Sequence, residues 1–144
     1  MFLRTVVTKG KNASSQDIVK RDTEYFLNTV LMSSIVPLTV SSVRMRFSDM
    51  KFLECKSTVN DIRTTNLIKV PKSVTIPIYP KNDRSKLPKA ETIGIRDIIY
   101  IKASTDKGCV WINYYNHIGE LVTNLADMTM DGFAEMLKPN QVIA

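Results

Sequence analysis

The sequence has few of the residues from which catalytic and metal sites are usually built. Its 144 residues include one histidine, two cysteines and five glycines. The histidine, His117, lies in a predicted turn, where a side chain is normally solvated rather than paired with a nucleophile. Cys55, Cys109 and His117 are too few and too scattered for a zinc site, and the glycines form no phosphate-binding loop. We therefore predict a protein that is not an enzyme and that holds no metal and no cofactor.

Long apolar segments are also missing. No run reaches the length of a membrane-spanning helix, and Met1–Thr5 lacks the sustained apolar core of a signal peptide. We therefore expect no membrane association, no secretion through a signal peptide, and a location in the cytoplasm or in a virion. The two cysteines agree with this, because each lies inside an apolar run, as is typical of buried free thiols.

The composition is that of a folded globular protein, with 44% hydrophobic and 24% charged residues. The length fits a single domain over residues 1–144. The net charge of +6 is unevenly placed: residues 1–90 hold 16 Lys/Arg against 7 Asp/Glu, giving +9, and residues 91–144 hold 4 against 7, giving −3. This polarity favours a polyanion such as nucleic acid, or the acidic end of a neighbouring copy, as the partner.

The hydrophobic pattern predicts an α+β fold that is rich in antiparallel β-structure. Phe2–Thr8 and Val43–Phe47 alternate with period two, and Ile98–Ala103 is the most apolar strand of the chain. Gly108–Asn116 and Gly119–Leu125 predict a hairpin whose two strands alternate between a buried and an exposed face.

Two helices are predicted, one near each end. The first covers about residues 15–32, with Ser14 as its N-cap. The second covers about residues 128–137, where it carries Met130 and Phe133. The apolar stripe of the first helix consists of Val19, Phe26, Leu27, Val30 and Leu31.

A short internal similarity links Phe47–Leu53 with Ile95–Ile101. Both segments run apolar, polar, Asp, apolar, variable, aromatic, aliphatic, with one identity in seven positions. Any two strands that follow an Asp turn can share this pattern, and we interpret the similarity as coincidence.

The most distinctive segment is a basic, proline-rich arm or edge segment at residues 69–89. It holds four prolines and one acidic residue, Asp83. Extended proline-rich backbone loses little entropy on docking, and clustered cations suit phosphates or an acidic protein surface, although a solvated loop would have the same composition. Lysine dominates over arginine, which favours phosphate or protein contacts over base readout. The candidate contact residues are Lys69, Lys72, Lys81, Arg84, Lys86 and Lys89, together with Arg44 and Arg46 on the exposed face of a predicted strand.

The segment Ile95–Ala103, which reads Ile-Arg-Asp-Ile-Ile-Tyr-Ile-Lys-Ala, resembles the strand motif of the LytTR family of bacterial DNA-binding domains. Gly119-Glu120 and Leu125–Leu137 follow in the family's order of hairpin and helix, so that the resemblance spans about residues 93–137. It implies an elongated β fold that inserts loops into successive major grooves of DNA. Lys102 stands where the family has Glu, and the family's C-terminal segment with His and Arg has no counterpart.

Three hypotheses of different class follow. The first is a structural or assembly protein, a subunit of a larger complex such as a phage particle, which forms homo-oligomers or contacts neighbouring subunits through the basic arm and contacts nucleic acid through phosphates. The second is a DNA-binding transcriptional regulator of LytTR-like character. The third is an enzyme built on an unrecognised carboxylate pair.

Overall fold

The computed structural model describes residues 1–47 and 50–138. The chain forms two compact units, unit 1 over Met1–Ile68 and unit 2 from Lys69 onward. Within the described residues there are ten strands and two short α-helices, and about half of the chain is strand. The predicted β-rich, antiparallel architecture is therefore confirmed. The single domain over 1–144 stays a prediction, because compactness alone does not show whether two units unfold together.

Unit 1 is an antiparallel sheet of five strands with one short helix. Its elements are β1 (Phe2–Asn12), β2 (Thr23–Asn28), a 3-10 helix (Thr29–Leu31), β3 (Met32–Thr39), β4 (Ser42–Phe47), β5 (Met50–Cys55) and α1 (Val59–Asn66). The strands lie in the order β3-β4-β5-β1-β2. Strand β4 shows how the core forms: Val43, Met45 and Phe47 are buried, and Arg44 and Arg46 between them are exposed, as the alternation predicts.

Helix α1 begins at a capping box. The Thr58 hydroxyl accepts a hydrogen bond from the Asp61 N–H at 3.1 Å, and the Asp61 carboxylate accepts one from the Thr58 N–H at 2.8 Å. These two bonds satisfy donors that a helix start would otherwise leave unpaired. The helix packs on β1 and buries Ile62.

The helix predicted for residues 15–32 is wrong. A tight turn replaces its beginning: Asn12 Oδ1 accepts a hydrogen bond from the Ser14 N–H at 3.0 Å, and Ser15 has a φ of 62°. A left-handed residue does not continue an α-helix. The turn is followed by β2, which pairs antiparallel with β1 over six residue pairs.

The apolar residues of that predicted helix are divided among three local structures. Phe26 and Leu27 lie in β2 and are buried. Val19 lies in the connection before β2, where its Cγ2 would be 3.2 Å from a Cβ placed on Gly10. Val30 lies in the 3-10 helix and is 61% exposed. The i, i+3, i+4 spacing therefore arose from strand pairing and loop packing rather than from one helical face.

Unit 2 is likewise an antiparallel sheet of five strands with one short helix. Its elements are β6 (Ser73–Ile78), a 3-10 turn (Pro80–Asn82), β7 (Lys89–Gly94), a 3-10 helix (Ile95–Asp97), β8 (Ile98–Ala103), β9 (Val110–Tyr115), β10 (Leu121–Ala126) and α2 (Met130–Met136). The strands lie in the order β8-β9-β10-β6-β7. The predicted hairpin is β9–β10, and the helix predicted for residues 128–137 is α2, with Thr129 as its N-cap. No helix among the described residues is long and apolar enough to cross a membrane.

A buried tyrosine organises the polar part of the unit 2 core. Tyr114 is 1% exposed. Its hydroxyl donates a hydrogen bond to Glu91 Oε2 at 2.7 Å and accepts one from Asn124 Nδ2 at 3.0 Å. Burial, together with the Glu91 carboxylate, raises the pKa of Tyr114 to about 12. The phenol therefore remains a neutral donor at physiological pH.

The two units have the same topology. Numbered from the start of each unit, both sheets have the strand order 3-4-5-1-2, with a 3-10 helix between strands 2 and 3 and an α-helix after strand 5. The agreement extends to individual backbone bonds. Thr29 N–H donates to Met1 O at 2.7 Å, and Ile95 N–H donates to Lys72 O at 2.9 Å, at the same point of each unit.

Smaller irregularities recur as well. Both third strands carry a register shift against the fourth, between Met32 and Ser34 in unit 1 and between Ile98 and Tyr100 in unit 2. A bulge of this kind re-aims the strand that contains it, so its recurrence shows that the two sheets match in detail. The similarity of 47–53 to 95–101 does not reflect this match, since Met50–Leu53 belongs to a fifth strand and Ile98–Ile101 to a third.

Candidate binding surface

The basic residues of 69–89 do not form one arm. Lys69 and Lys72 precede β6, whereas Lys81, Arg84 and Lys86 lie in the connection after it and Lys89 begins β7. The β6–β7 pair runs from Ser73 opposite Gly94 to Ile78 opposite Lys89. Six residues of strand therefore separate the two groups, about 20 Å at the usual rise.

The connection between β6 and β7 is fastened to β10. Tyr79 N–H donates to Leu125 O, and Leu125 N–H donates to Asn82 Oδ1, both at 2.9 Å. Lys81 and Asn82 have φ values of 52° and 57°, which turn the chain sharply after Pro80. The lysine side chains are thus carried on a fixed turn and not on a free arm.

A second turn joins this connection through Arg84. Its Nη2 donates to Lys107 O at 3.3 Å, and its Nη1 lies 3.8 Å from Asp106 Oδ1. Both contacts are with the turn between β8 and β9, so Arg84 joins the turn that carries Lys107 to the connection that carries Lys81 and Lys86. Sequence reasoning missed Lys107, because nothing in the linear order relates it to the proline-rich segment.

We call the resulting group the basic loop cluster. It has five exposed cations and three nearby carboxylates, Asp83, Asp106 and, through the Tyr79 hydroxyl, Asp127, a local charge of +2. Hydrogen bonds from Ser85 hold the pKa of the Asp83 carboxyl below its usual value, so Asp83 acts as a turn-forming anion. The cluster consists of Lys81, Arg84, Lys86, Lys89 and Lys107.

An apolar group lies at the ends of the two loops that carry the cluster. Tyr79, Cys109 and Leu125 are buried together, and Trp111 packs against them while remaining partly exposed. Burial, and next the Asp127 carboxylate, raise the pKa of the Tyr79 hydroxyl, which also interacts with Arg84. The single tryptophan of the chain therefore sits beside both basic loops.

Trp111 belongs to the outer face of the unit 2 sheet. In register, it lies opposite Lys102 of β8 on one side and Leu125 of β10 on the other. Burial lowers the pKa of the Lys102 ammonium group. Further along the same face of β9 lie Asn113 and Tyr115, the latter 40% exposed.

The other two predicted contact residues are in unit 1, on its outer sheet face. Arg44 is held closely: its Nε donates to Glu54 Oε1 at 2.9 Å, and its guanidinium lies 4.2 Å from the centre of the Phe52 ring. Arg46 is exposed one position along the same face. Arg44 is therefore committed to an ion pair and a ring contact within the unit.

The charge asymmetry along the chain does not follow the unit boundary. Residues 1–68 hold 10 Lys/Arg against 6 Asp/Glu, or +4, and residues 69–144 hold 10 against 8, or +2. Both units are thus net positive. The local concentration in the basic loop cluster, and not a cationic half facing an anionic half, is the charge feature that the fold creates.

The histidine and cysteine side chains lie apart from one another in the described part of the chain. Among residues 1–47 and 50–138, no three His, Cys, Asp or Glu side chains come together as a metal site. His117 is exposed in the β9–β10 turn. Cys55 and Cys109 are both buried free thiols, as predicted, and burial raises the pKa of Cys55 to about 11.

Cys55 should therefore react slowly with thiol reagents in the native protein. The thiolate is the reactive form, and a pKa of about 11 leaves little of it at neutral pH. We expect the native protein to be labelled by a colorimetric disulfide reagent far more slowly than the urea-unfolded chain, with Cys109→Ser isolating the Cys55 signal. Equal labelling rates in the two states would contradict this.

No protein-family model, curated protein or solved structure matches the chain.

Proposed function

We propose that the protein is a non-enzymatic assembly subunit that docks on nucleic acid through the basic loop cluster of unit 2, within a larger complex such as a phage particle. The observation that carries this is the Arg84 contact with the β8–β9 turn, which gathers cations from two separate loops at one end of the sheet. A concentration of fixed cations with few carboxylates favours phosphate contacts that release counterions.

The side-chain chemistry supports contact with phosphates over readout of base edges. Four of the five cations of the cluster are lysines, which bind phosphate as point charges. The one arginine is already engaged with the β8–β9 turn. Bidentate recognition of guanine, the commonest specific base contact, is made by arginine or lysine on an element that enters the major groove, and these cations lie on short turns.

Charge reversal within the cluster tests the proposal. Lys81→Glu, Lys86→Glu and Lys107→Glu together should weaken binding of a labelled oligonucleotide about tenfold or more, measured by fluorescence anisotropy, and should flatten the dependence of affinity on salt. Arg84 is left in place because it holds the two loops together.

A variant of equal charge change provides the control. Lys20→Glu, Lys69→Glu and Lys72→Glu replace exposed lysines that are not part of the cluster, and Lys69 and Lys72 lie at the opposite end of the β6–β7 pair. Because none of its three lysines belongs to the cluster, this variant should retain most of the affinity. Equal losses in the two variants would mean that binding follows net charge alone and would remove the cluster from the proposal.

Light scattering with and without nucleic acid tests the assembly half of the proposal. We expect a defined oligomer or a multimeric nucleoprotein complex, in line with the predicted homo-oligomer or neighbouring subunits. A strict monomer that binds one oligonucleotide per chain at high concentration would contradict it.

The second candidate function is a DNA-binding regulator of LytTR-like character. It is favoured by the order of strand, hairpin and helix over β8 to α2, which is the order that the resemblance implies. A regulator requires a large ratio of specific to non-specific affinity. Competition between duplexes of different sequence at physiological salt measures this ratio. A value near one would count against a regulator and would mean that charge attraction alone accounts for DNA binding.

A further inference from the structure

Trp111 lies near the ends of both basic loops. It packs against the buried group of Tyr79, Cys109 and Leu125. It is the second residue of β9, directly after the β8–β9 turn, and lies opposite Leu125, whose carbonyl accepts the hydrogen bond from the Tyr79 N–H at the start of the β6–β7 connection. The cluster cations are carried by the same two loops. A ligand that bridges several of these cations therefore passes next to a partly exposed aromatic ring.

The equivalent position in unit 1 is closed to a ligand. By strand register, Arg44 there lies between Val36 of β3 and Glu54 of β5, as Trp111 lies between Lys102 of β8 and Leu125 of β10. The Arg44 guanidinium forms an ion pair with Glu54 and covers the Phe52 ring.

Unit 2 has the opposite chemistry at this position. The centre is an aromatic ring, one neighbour is a leucine that cannot form an ion pair with it, and the other neighbour, Lys102, adds a cation. The position equivalent to Phe52 is Thr123, opposite Asn113, and these two side chains bond to each other at 2.9 Å. The two units therefore differ in side-chain chemistry at this position. In unit 1 the central arginine is paired with Glu54 and covers Phe52. In unit 2 the central residue is an aromatic ring beside the cation Lys102.

We propose that unit 2 binds single-stranded nucleic acid, with one base stacked on Trp111 and the adjoining phosphates held by the basic loop cluster. The inference rests on the proposed function and names its ligand. Non-specific single-strand binding combines a basic track for the backbone with aromatic side chains for the bases. The bases of a duplex are stacked on one another, and only an unpaired base can place its face on a side chain.

Tyr115 extends the same track. It lies four residues beyond Trp111 on the same face of β9, about 13 Å away at the usual rise, and is 40% exposed. A second base of the same nucleic-acid strand can contact the Tyr115 ring. Its greater distance from the basic loops makes it the weaker of the two positions, because fewer cations hold the backbone there.

The intrinsic fluorescence of the protein tests the inference directly, since Trp111 is the only tryptophan. The wild-type chain is titrated with an oligothymidylate of about 12 nucleotides, a length within the usual range for one such domain, with a duplex of the same length, and with inorganic polyphosphate. We expect the oligothymidylate to quench Trp111 and the polyphosphate to bind without quenching, because polyphosphate has no bases.

Two substitutions separate stacking from packing. Trp111→Phe keeps an aromatic ring, and Trp111→Leu keeps an apolar side chain against Tyr79 and Cys109. By anisotropy, we expect Trp111→Leu to bind oligothymidylate about tenfold more weakly, the usual loss for one stacked base. Trp111→Phe should stay within about threefold of wild type, and both variants should bind polyphosphate normally.

The outcomes distinguish this inference from the proposed function. Equal binding of oligothymidylate and polyphosphate without quenching overturns the stacking assignment and leaves phosphate binding by the cluster intact. Tighter binding of the duplex, or an equal loss in the Leu and Phe variants, overturns it in the same way. Absence of binding to all three ligands overturns the proposed function as well.

Discussion

Phe133→Ala is expected to lower the free energy of unfolding of unit 2 by about 3–5 kcal/mol, the usual range for removing a fully buried aromatic ring. Phe133 is 0% exposed in α2, a helix of seven residues that packs on β8. A helix this short has no stability of its own in water. Its side chains hold it on the sheet, so loss of the largest one both opens a cavity and releases the helix.

Urea unfolding followed by Trp111 fluorescence measures this effect, because the tryptophan reports on the unit that contains α2. Glu135→Ala in the same helix serves as the control. Glu135 is exposed and pairs with Lys138, an interaction of the kind that contributes less than about 1 kcal/mol. If Phe133→Ala moved the midpoint no further than Glu135→Ala, the packing of α2 described above would be wrong.

The same measurement tests whether the chain is one cooperative domain. Ile62 of α1 is the topological equivalent of Phe133 and is 3% exposed. Ile62→Ala should lower stability by about 2–5 kcal/mol. In a single domain over 1–144, this loss in unit 1 shifts the Trp111 transition also; in two independent domains, the Trp111 transition stays where it was.

Tyr114→Phe is expected to cost about 1–3 kcal/mol, although it removes only one oxygen. The change takes away the hydrogen bond to Glu91 Oε2 and the acceptor used by Asn124 Nδ2. Polar groups that lose their partner inside a protein keep the full cost of leaving water. The neighbouring Tyr115→Phe is the matched control, since Tyr115 is exposed and its hydroxyl has water in both states. Equal effects on the urea midpoint would contradict the role given to Tyr114.

The same tyrosine predicts sensitivity to alkali. The pKa of Tyr114 is about 12 in the folded protein, against an ordinary value of 10.0. Between these values the folded state binds more protons than the unfolded chain, so the free energy of unfolding falls as pH rises through this window. Cys55, with a pKa of about 11 against 9.0, acts in the same direction from lower pH. Tyr114→Phe should flatten the decline above about pH 10, and an unchanged slope would argue against the burial of its hydroxyl.

The sequence is a good guide where an element carries its own pattern. In β9 the buried residues Val110, Ile112 and Tyr114 alternate with Trp111 and the residues beyond it, and alternation needs no knowledge of distant neighbours. The hairpin β9–β10 and the helix α2 were predictable for this reason. The prediction of a helix over 15–32 was wrong because the apolar residues of this segment pack against residues outside it, mainly those on β1.

Helix α1 was not predicted, although the sequence contains the signal for its N-terminus. Thr58 and Asp61 have the spacing of a capping box, but the helix lasts only eight residues and buries one apolar side chain, Ile62. So short an amphipathic pattern is hard to distinguish from a loop. The cap was the better guide than the periodicity.

The candidate surface was predictable in part. The lysines of the connection after β6 were identified from charge density alone, and they form most of the basic loop cluster. The division of residues 69–89 between two ends of a hairpin depends on the β6–β7 pairing. The inclusion of Lys107 and the position of Trp111 depend on contacts among Tyr79, Arg84 and Cys109, which lie far apart along the chain.

The repeated topology allows backbone and surface to be considered separately. Backbone bonds recur at matching places: the Thr29 N–H to Met1 O bond of unit 1 has its counterpart in the Ile95 N–H to Lys72 O bond of unit 2. The outward residues at matching places share almost no chemistry, as Arg44 and Trp111 illustrate. One backbone framework thus carries an ion pair on the outer face of unit 1 and a partly exposed aromatic ring on the outer face of unit 2. Moving the aromatic position to unit 1 would begin at Arg44, whose side chain is 45% exposed, and would also involve Glu54, whose side chain is only 18% exposed.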